Sequence, residues 1–269
     1  MPRLLLLLLF FCNYSFAQNY SGKISDKKNN LPIAYVNFGI PGKNIGTVSD
    51  EEGKFNITID NQYNNDTLLF SCIGYNSYYT TVKEFKKNTA NVIFLTEKIS
   101  QLKEVVVRPK IFKEKTLGVT TRTKMAQAGF AKNKLGYELG ILMNVKKTAE
   151  LEKVNINIAQ CTYDTIFYRL NIYRINQKKE FENILTHPIF IKLSKEQVND
   201  KISVDLTSEN IVVSGDFLIT LEHIKDLGEG NLYFCSSLLD KTYYRETSQG
   251  VWQNAPIGIS ISVDAKVEK

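Results

Sequence analysis

Short runs in which apolar and polar residues alternate, broken by turns rich in Gly, Asn and Asp, fill most of this chain. Period-two alternation puts successive side chains on opposite faces of a strand, so it predicts half-buried β-strands rather than helices. Phe55-Asn56-Ile57-Thr58-Ile59 is the clearest case, with Phe55, Ile57 and Ile59 expected to face a core. Upstream, Tyr20 to Ile24, Ile33 to Ile40 and Ile45 to Ser49 also read as strands, with Pro32 confined to a strand start or edge. Thr67 to Tyr75 is almost continuously apolar, which predicts cover on both faces, and Gly74 marks a bulge or close approach. Tyr78 to Val82 and Asn91 to Leu95 complete about seven short strands over roughly 80 residues, the spacing of a small all-β sandwich.

Two of these strands meet at Gly46-Thr47-Val48-Ser49-Asp50-Glu51-Glu52-Gly53-Lys54-Phe55. Asp50 is placed to accept hydrogen bonds from the main chain ahead of it, and Gly53 supplies the positive φ needed to re-enter a strand. Three adjacent acids do not reproduce the alternating ligands of a calcium loop, so Asp50, Glu51 and Glu52 read as a solvated turn.

Residues 108–134 are rich in Lys and Arg with little alternation and are predicted to be a linker, with a helical turn open to Met125 to Phe130. Beyond it the β pattern resumes: Gly136 to Val145, Ala149 to Ala159, Thr165 to Ile175, Phe181 to Leu185, Ile189 to Leu193, Ile202 to Leu206, Ile211 to Ile224, Leu232 to Ser236, Lys241 to Glu246 and Ile257 to Val267. Ile166, Tyr168, Leu170 and Ile172 share one face and Arg169 and Asn171 the other. Parity likewise groups Phe217, Ile219, Leu221 and His223, making His223 a core or edge histidine rather than a ligand. Many antiparallel strands with few helices predict a jelly-roll-like sandwich over 135–269; a small membrane barrel is disfavoured because these strands lack a continuous outward apolar band.

The amino terminus changes the picture. Met1-Pro2-Arg3, the apolar block Leu4 to Phe11 and Ser15-Phe16-Ala17 form a signal peptide over 1–17, cleaved after Ala17, so the mature protein is expected to be exported to the periplasm or outer membrane. The block is too short for a membrane span, which takes about 20 residues, and no later run reaches that length. Lipidation at Cys12 is disfavoured because small residues do not precede it. A hydrophobic fraction of 43% suffices for packed cores, and the net charge of +6 is spread over scattered lysines. That balance weakly favours acidic polysaccharide or lipid head groups, although a solvated surface is the plainer reading; export argues against nucleic acid as a partner. Cys72, Cys161 and Cys235 sit in apolar contexts and are expected to be core thiols, a Cys161–Cys235 bridge being the alternative.

Lys23-Ile24-Ser25-Asp26, Leu31-Pro32-Ile33-Ala34-Tyr35-Val36, the Gly46–Phe55 turn, Phe70-Ser71-Cys72-Ile73-Gly74-Tyr75 and Leu102-Lys103-Glu104-Val105-Val106-Val107 together resemble the carboxypeptidase-like regulatory domain of Bacteroidetes envelope proteins, in order and spacing over about 19–107. The resemblance implies a transthyretin-like (prealbumin-like) β-sandwich, a module that often precedes the plug and barrel of TonB-dependent receptors, and no catalytic role, with Gly46, Asp50, Gly53 and Phe55 as a fold signature. The chain after it is too short for a plug and a large barrel. The expected organisation is a signal peptide at 1–17, this domain at 18–107, a linker at 108–134 and a second β-sandwich at 135–269.

Peptidase chemistry is not expected. An open zinc site takes three protein ligands, whereas the chain has two histidines, His187 and His223, and neither begins a His-x-x-Glu. No Gly-x-Ser-x-Gly elbow occurs, and a pairing of Cys161 or Cys235 with either histidine stays open. No catalytic residue, cofactor or metal ligand is expected. Tyr243, Tyr244, Arg245, Gln249 and Trp252 form the densest aromatic and polar cluster, and Tyr243, Tyr244, Arg245 and Trp252 are the candidate ligand contacts, suited to a sugar ring or a peptide side chain if they are not simply packing. The expected function is a non-catalytic envelope module binding another envelope protein or a glycan; a hydrolase sited in the second domain and a purely structural accessory are the alternatives.

Overall fold

The computed structural model describes residues 17–88, 92–98 and 111–269. The expected signal peptide, apart from Ala17, and the Leu102 to Val107 stretch lie outside the described residues.

The first domain contains β1 (Ala17–Asp26), β2 (Asn37–Ile40), β3 (Ile45–Val48), β4 (Lys54–Asp60), β5 (Thr67–Ser71), β6 (Tyr78–Thr81), α1 (Val82–Lys87) and β7 (Val92–Leu95). A three-stranded sheet in the order β4-β1-β7 faces a four-stranded sheet in the order β3-β2-β5-β6. Ile24, Phe55, Ile57 and Ile59 from one sheet and Phe38, Ile40, Leu68 and Phe70 from the other close the core, where Phe38 and Phe70 stack with ring centroids 5.1 Å apart. The acidic turn folds as expected: Asp50 Oδ1 accepts from the amides of Glu52 (2.9 Å) and Lys54 (2.8 Å), and Gly53 has φ +71. Val82, expected to end a strand, instead begins α1. The Thr81 hydroxyl accepts from the Glu84 amide while Glu84 accepts from the Thr81 amide, a capping box that starts a helix where alternation would continue a strand.

The second domain contains β8 (Phe112–Gly118), β9 (Gln127–Phe130), β10 (Glu138–Met143), β11 (Thr148–Cys161), β12 (Thr165–Ile175), β13 (Phe181–Asn183), β14 (Ile189–Ser194), β15 (Lys201–Asp205), β16 (Val212–Ser214), β17 (Phe217–His223), β18 (Leu232–Ser237), β19 (Thr242–Arg245), β20 (Gln253–Ala255), β21 (Gly258–Ile259) and β22 (Ile261–Glu268). One sheet runs β13-β12-β17-β10-β19-β20 with β14 also on β12; the other runs β21-β18-β11-β22-β8 with β15 and β16 on β11 and β9 on β18. Their inner faces enclose one core, including Leu139, Ile141, Tyr168, Leu170, Ile219 and Leu221 against Leu151, Val154, Ile156, Phe234, Ile261 and Val263.

Two expectations are corrected here. The span 108–134 is not simply a linker: β8 pairs antiparallel with β22 and β9 with β18, and Leu117, Val119 and Phe130 pack on the core. Lysines along an edge strand masked the pattern, as they do where edges are protected against further pairing. Ile211 to Ile224 is not one strand, because the turn at Gly215 and Asp216 sends β16 to one sheet and β17 to the other, with Asp216 Oδ1 accepting from the Val145 amide at 2.8 Å. The three cysteines are free thiols as expected, without the alternative Cys161–Cys235 bridge, although only Cys235 is fully buried and Cys72 and Cys161 are half-buried.

The two sandwiches stack face on face. The outer surface of the four-stranded sheet, carrying Asn37, Gly39 and Ser71, lies against the outer surface of the seven-stranded sheet and the loop between β19 and β20, giving four β layers in succession. Gly39 and Gly46 are directly paired across the β2–β3 hairpin, and the Ser248 carbonyl sits over both. A β-carbon on Gly46 would overlap that oxygen, so this glycine permits close approach of the second domain. Thr247 Oγ1 donates to the Gly46 carbonyl, the Gly42 amide to the Gln249 carbonyl (3.0 Å) and Gln249 Nε2 to Ser71 Oγ (2.8 Å).

Candidate functional site

The outer face of the seven-stranded sheet carries the chemistry. Because β12 alternates, Phe167, Arg169, Asn171 and Tyr173 point away from the core filled by Tyr168, Leu170 and Ile172. Pairing aligns Arg169 with Glu222 on β17, and Glu222 with Glu138 on β10, which in turn faces Arg245 on β19. A row of four ionisable side chains therefore crosses the strands, two neighbouring and fully buried carboxyl groups flanked by a guanidinium at each end.

Arg169 donates to Glu222 Oε2 from Nε (3.2 Å) and Nη2 (2.7 Å), and from Nη1 to the Tyr35 carbonyl (2.8 Å) of the first domain. Tyr35 holds φ +56, which turns that carbonyl toward the guanidinium. Asn37 spans the pair, donating to Glu222 Oε1 at 2.6 Å and accepting from Arg169 Nη2. Asn171 Nδ2 lies 2.9 Å from oxygens of both Glu222 and Glu138. Glu138 also accepts from Tyr173 (2.9 Å), from Thr220 and from Arg245 Nε (2.8 Å). Burial alone raises both carboxyls. At Glu222 the neighbouring Arg169 and Arg245 more than offset it and hold the group below the usual range, whereas at Glu138 burial prevails over Arg245 and the charge of Glu222 adds to it, so its carboxyl is raised.

At the end of this row lies the aromatic cluster. The Arg245 guanidinium sits 5.0 Å from the Trp252 ring centroid, and Tyr173 (5.8 Å) and Phe181 (5.3 Å) meet the indole edge-on. Phe181 meets Tyr243 edge-on at 5.8 Å. Tyr243, Arg245 and Trp252 are thus brought together, with Tyr243 and Trp252 half-buried. Tyr244, one residue out of phase, faces the core near Tyr137 and donates to Gln253 Oε1 at 3.0 Å, and Gln249 belongs to the domain joint. Tyr173 and Phe181 were not singled out in the sequence. The signal for Tyr173 was its shared parity with Arg169 and Asn171; for Phe181 it was only its place after the Lys-rich turn that returns β13 onto β12.

The remaining candidates lie apart. His223 is fully buried among Phe130 and Tyr168, its ring nitrogens have no hydrogen-bond partner, and burial lowers its pKa to about 4. His187 is exposed and pairs with Glu209 at 2.5 Å. The acidic turn borders an open cleft of about 620 Å³ against Leu135 and Ile224 to Asp226, where Lys225 lies 3.8 Å from Glu51 and Lys54 2.5 Å from Glu52. Among the described residues, no group of three or more His, Cys, Asp and Glu side chains is arranged to hold a metal ion, and no helix is long and apolar enough to cross a membrane.

No curated protein matches the chain. Among solved structures, the VP2 subviral particle of infectious bursal disease virus is 8% identical with a TM-score of 0.18, covering 95% of this chain and 66% of that one. A structure of the Gx strain of the same virus is 8% identical with a TM-score of 0.19, covering 94% and 80%. Likeness at that level carries no argument about fold or function. The family comparison falls on the sandwich that bears the acidic turn: residues 20–107 match the CarboxypepD_reg-like domain.

Proposed function

We propose that this protein is an exported, non-catalytic module of the cell envelope that binds another envelope component through the Trp252 surface, with a transthyretin-like first domain docked on a jelly-roll-like second one. The observation that carries this reading is the Trp252 arrangement. A half-buried indole is fixed by a guanidinium on its ring and two aromatic edges, and the guanidinium is itself anchored to a fully buried Glu138. A rigid, partly exposed aromatic anchor loses little freedom on binding, which is what binding hot spots require. A hydrolase reading would need a histidine, a carboxylate and a nucleophile in one cleft. His223 is enclosed in the core, and His187 lies on the surface with Glu209.

Capture from envelope fractions tests the proposal. The full chain is expected to retain a component that a Trp252→Ala, Tyr243→Ala variant of unchanged thermal stability does not. Equal recovery by both would overturn it.

A further inference from the structure

Resting on that reading, we propose that the Trp252 surface takes an uncharged sugar ring. The argument begins with the charge of the site. Arg245 is the cation beneath the platform, and it is buried with its Nε and Nη2 turned inward: Nε donates to Glu138 Oε2 at 2.8 Å, Nη2 approaches the same oxygen at 2.6 Å, and Nη2 also reaches the Tyr173 hydroxyl at 3.4 Å. Because Arg245 is buried against Glu138, an anionic ligand finds no exposed guanidinium there, and a cationic one meets Arg245 behind the indole. Arg174, the next cation along β12, falls on the opposite face and is held by both oxygens of Glu182.

What the surface offers instead is aromatic rings and the Asn254 amide. Asn254 lies directly opposite Tyr243 in the β19–β20 pairing and flanks the rings, whereas Asn183, opposite Tyr173 in the β12–β13 pairing, is already engaged, its Nδ2 donating to Asn171 Oδ1 (3.0 Å) and its Oδ1 accepting from the Leu185 amide (3.0 Å). An aromatic face against the C–H face of a pyranose, with an amide such as that of Asn254 meeting its hydroxyls, is neutral, polar recognition. The exposed large apolar residues next to the cluster in sequence or pairing are Ile175 and Val251. That is little apolar surface for a stable protein partner, which covers roughly 800 Å² on each side, but enough for one or two sugar rings.

Trp252 is the single tryptophan of the chain, so its emission reports this surface alone. The full mature protein is titrated with neutral oligosaccharides (gluco-, xylo-, manno- and N-acetylglucosamine series) and with oligogalacturonates and heparin oligosaccharides. At least one neutral series is expected to shift Trp252 emission saturably, with an affinity that changes less than about twofold between low and high salt, because no screened charge is involved. Calorimetry with Trp252→Phe and with Tyr243→Ala is expected to show binding weakened about tenfold or more, as for loss of an aromatic anchor, with urea midpoints confirming that both variants fold. A response confined to the acidic glycans and abolished by salt would overturn the proposal. So would silence toward every saccharide combined with platform-dependent capture of an envelope protein, a result that leaves the binding function standing. Silence toward saccharides together with platform-independent capture would remove both.

Discussion

Arg169 and Glu222 form a buried ion pair, 2.7 Å apart, to which the first domain adds the Asn37 side chain and the Tyr35 carbonyl. The two sandwiches therefore share one hydrogen-bonded network instead of meeting across a wet surface. Removing one partner of a buried pair strands the other charge, at about 3–5 kcal/mol, while removing both charges is far less damaging. Arg169→Met is expected to lower stability by that amount in urea unfolding, and adding Glu222→Leu to restore part of it. Additive losses in the double variant would show that the pair does not act as a unit.

Gly46 makes a second, independent contact between the domains. A methyl group there meets the Ser248 carbonyl, a backbone atom that cannot swing aside. Gly46→Ala is expected to cost about 1–3 kcal/mol as local overpacking and to speed hydrogen exchange across residues 247–250. Gly215→Ala is the comparison: its φ is +80 but nothing lies within 4 Å, so it should weaken the fold through backbone strain alone and leave exchange at 247–250 unchanged.

His223 predicts the acid limb of stability. Its ordinary pKa of 6.5 falls to about 4 in the fold, chiefly through burial. The unfolded chain thus takes up a proton near 6.5 that the folded chain refuses until about 4. The contribution is fully present above 6.5 and lost progressively as pH falls toward 4, amounting to about 3 kcal/mol at about 1.4 kcal/mol per pH unit. Denaturant unfolding over this range is expected to show that slope in the wild type and a flatter one in His223→Leu; parallel slopes would mean that the ring is protonated or solvated in the fold.

Much of this architecture is legible in the sequence where a single face is buried. Phe55, Ile57 and Ile59 alternate and enter the core, and the parity of Ile166 to Ile172 and of Phe217 to His223 is reproduced residue by residue. Thr67 to Tyr75 reads as almost continuously apolar, and within it Leu68 and Phe70 face their own core while Ser71, on the opposite face, meets the second domain. Legibility fails where a long-range partner decides. β8 looks like a basic linker until β22 lies beside it, and Thr81 looks like a strand residue until Glu84 caps it. In the site, Arg169, Glu222, Glu138 and Arg245 are far apart in sequence and only strand register assembles them. Arg245 and Trp252 were visible as a local cluster, but not that Tyr244 turns away from it.

The binding role proposed for Trp252 is tested most directly by replacing it with fluorotryptophan, since the chain contains one tryptophan and its fluorine spectrum is then a single resonance. Addition of solubilised envelope extract to the labelled protein is expected to shift or broaden that resonance, and an excess of unlabelled wild type, but not of Tyr243→Ala, to restore it. A resonance that stays unchanged while the labelled protein is demonstrably retained by the extract would contradict the assignment of the binding surface to Trp252.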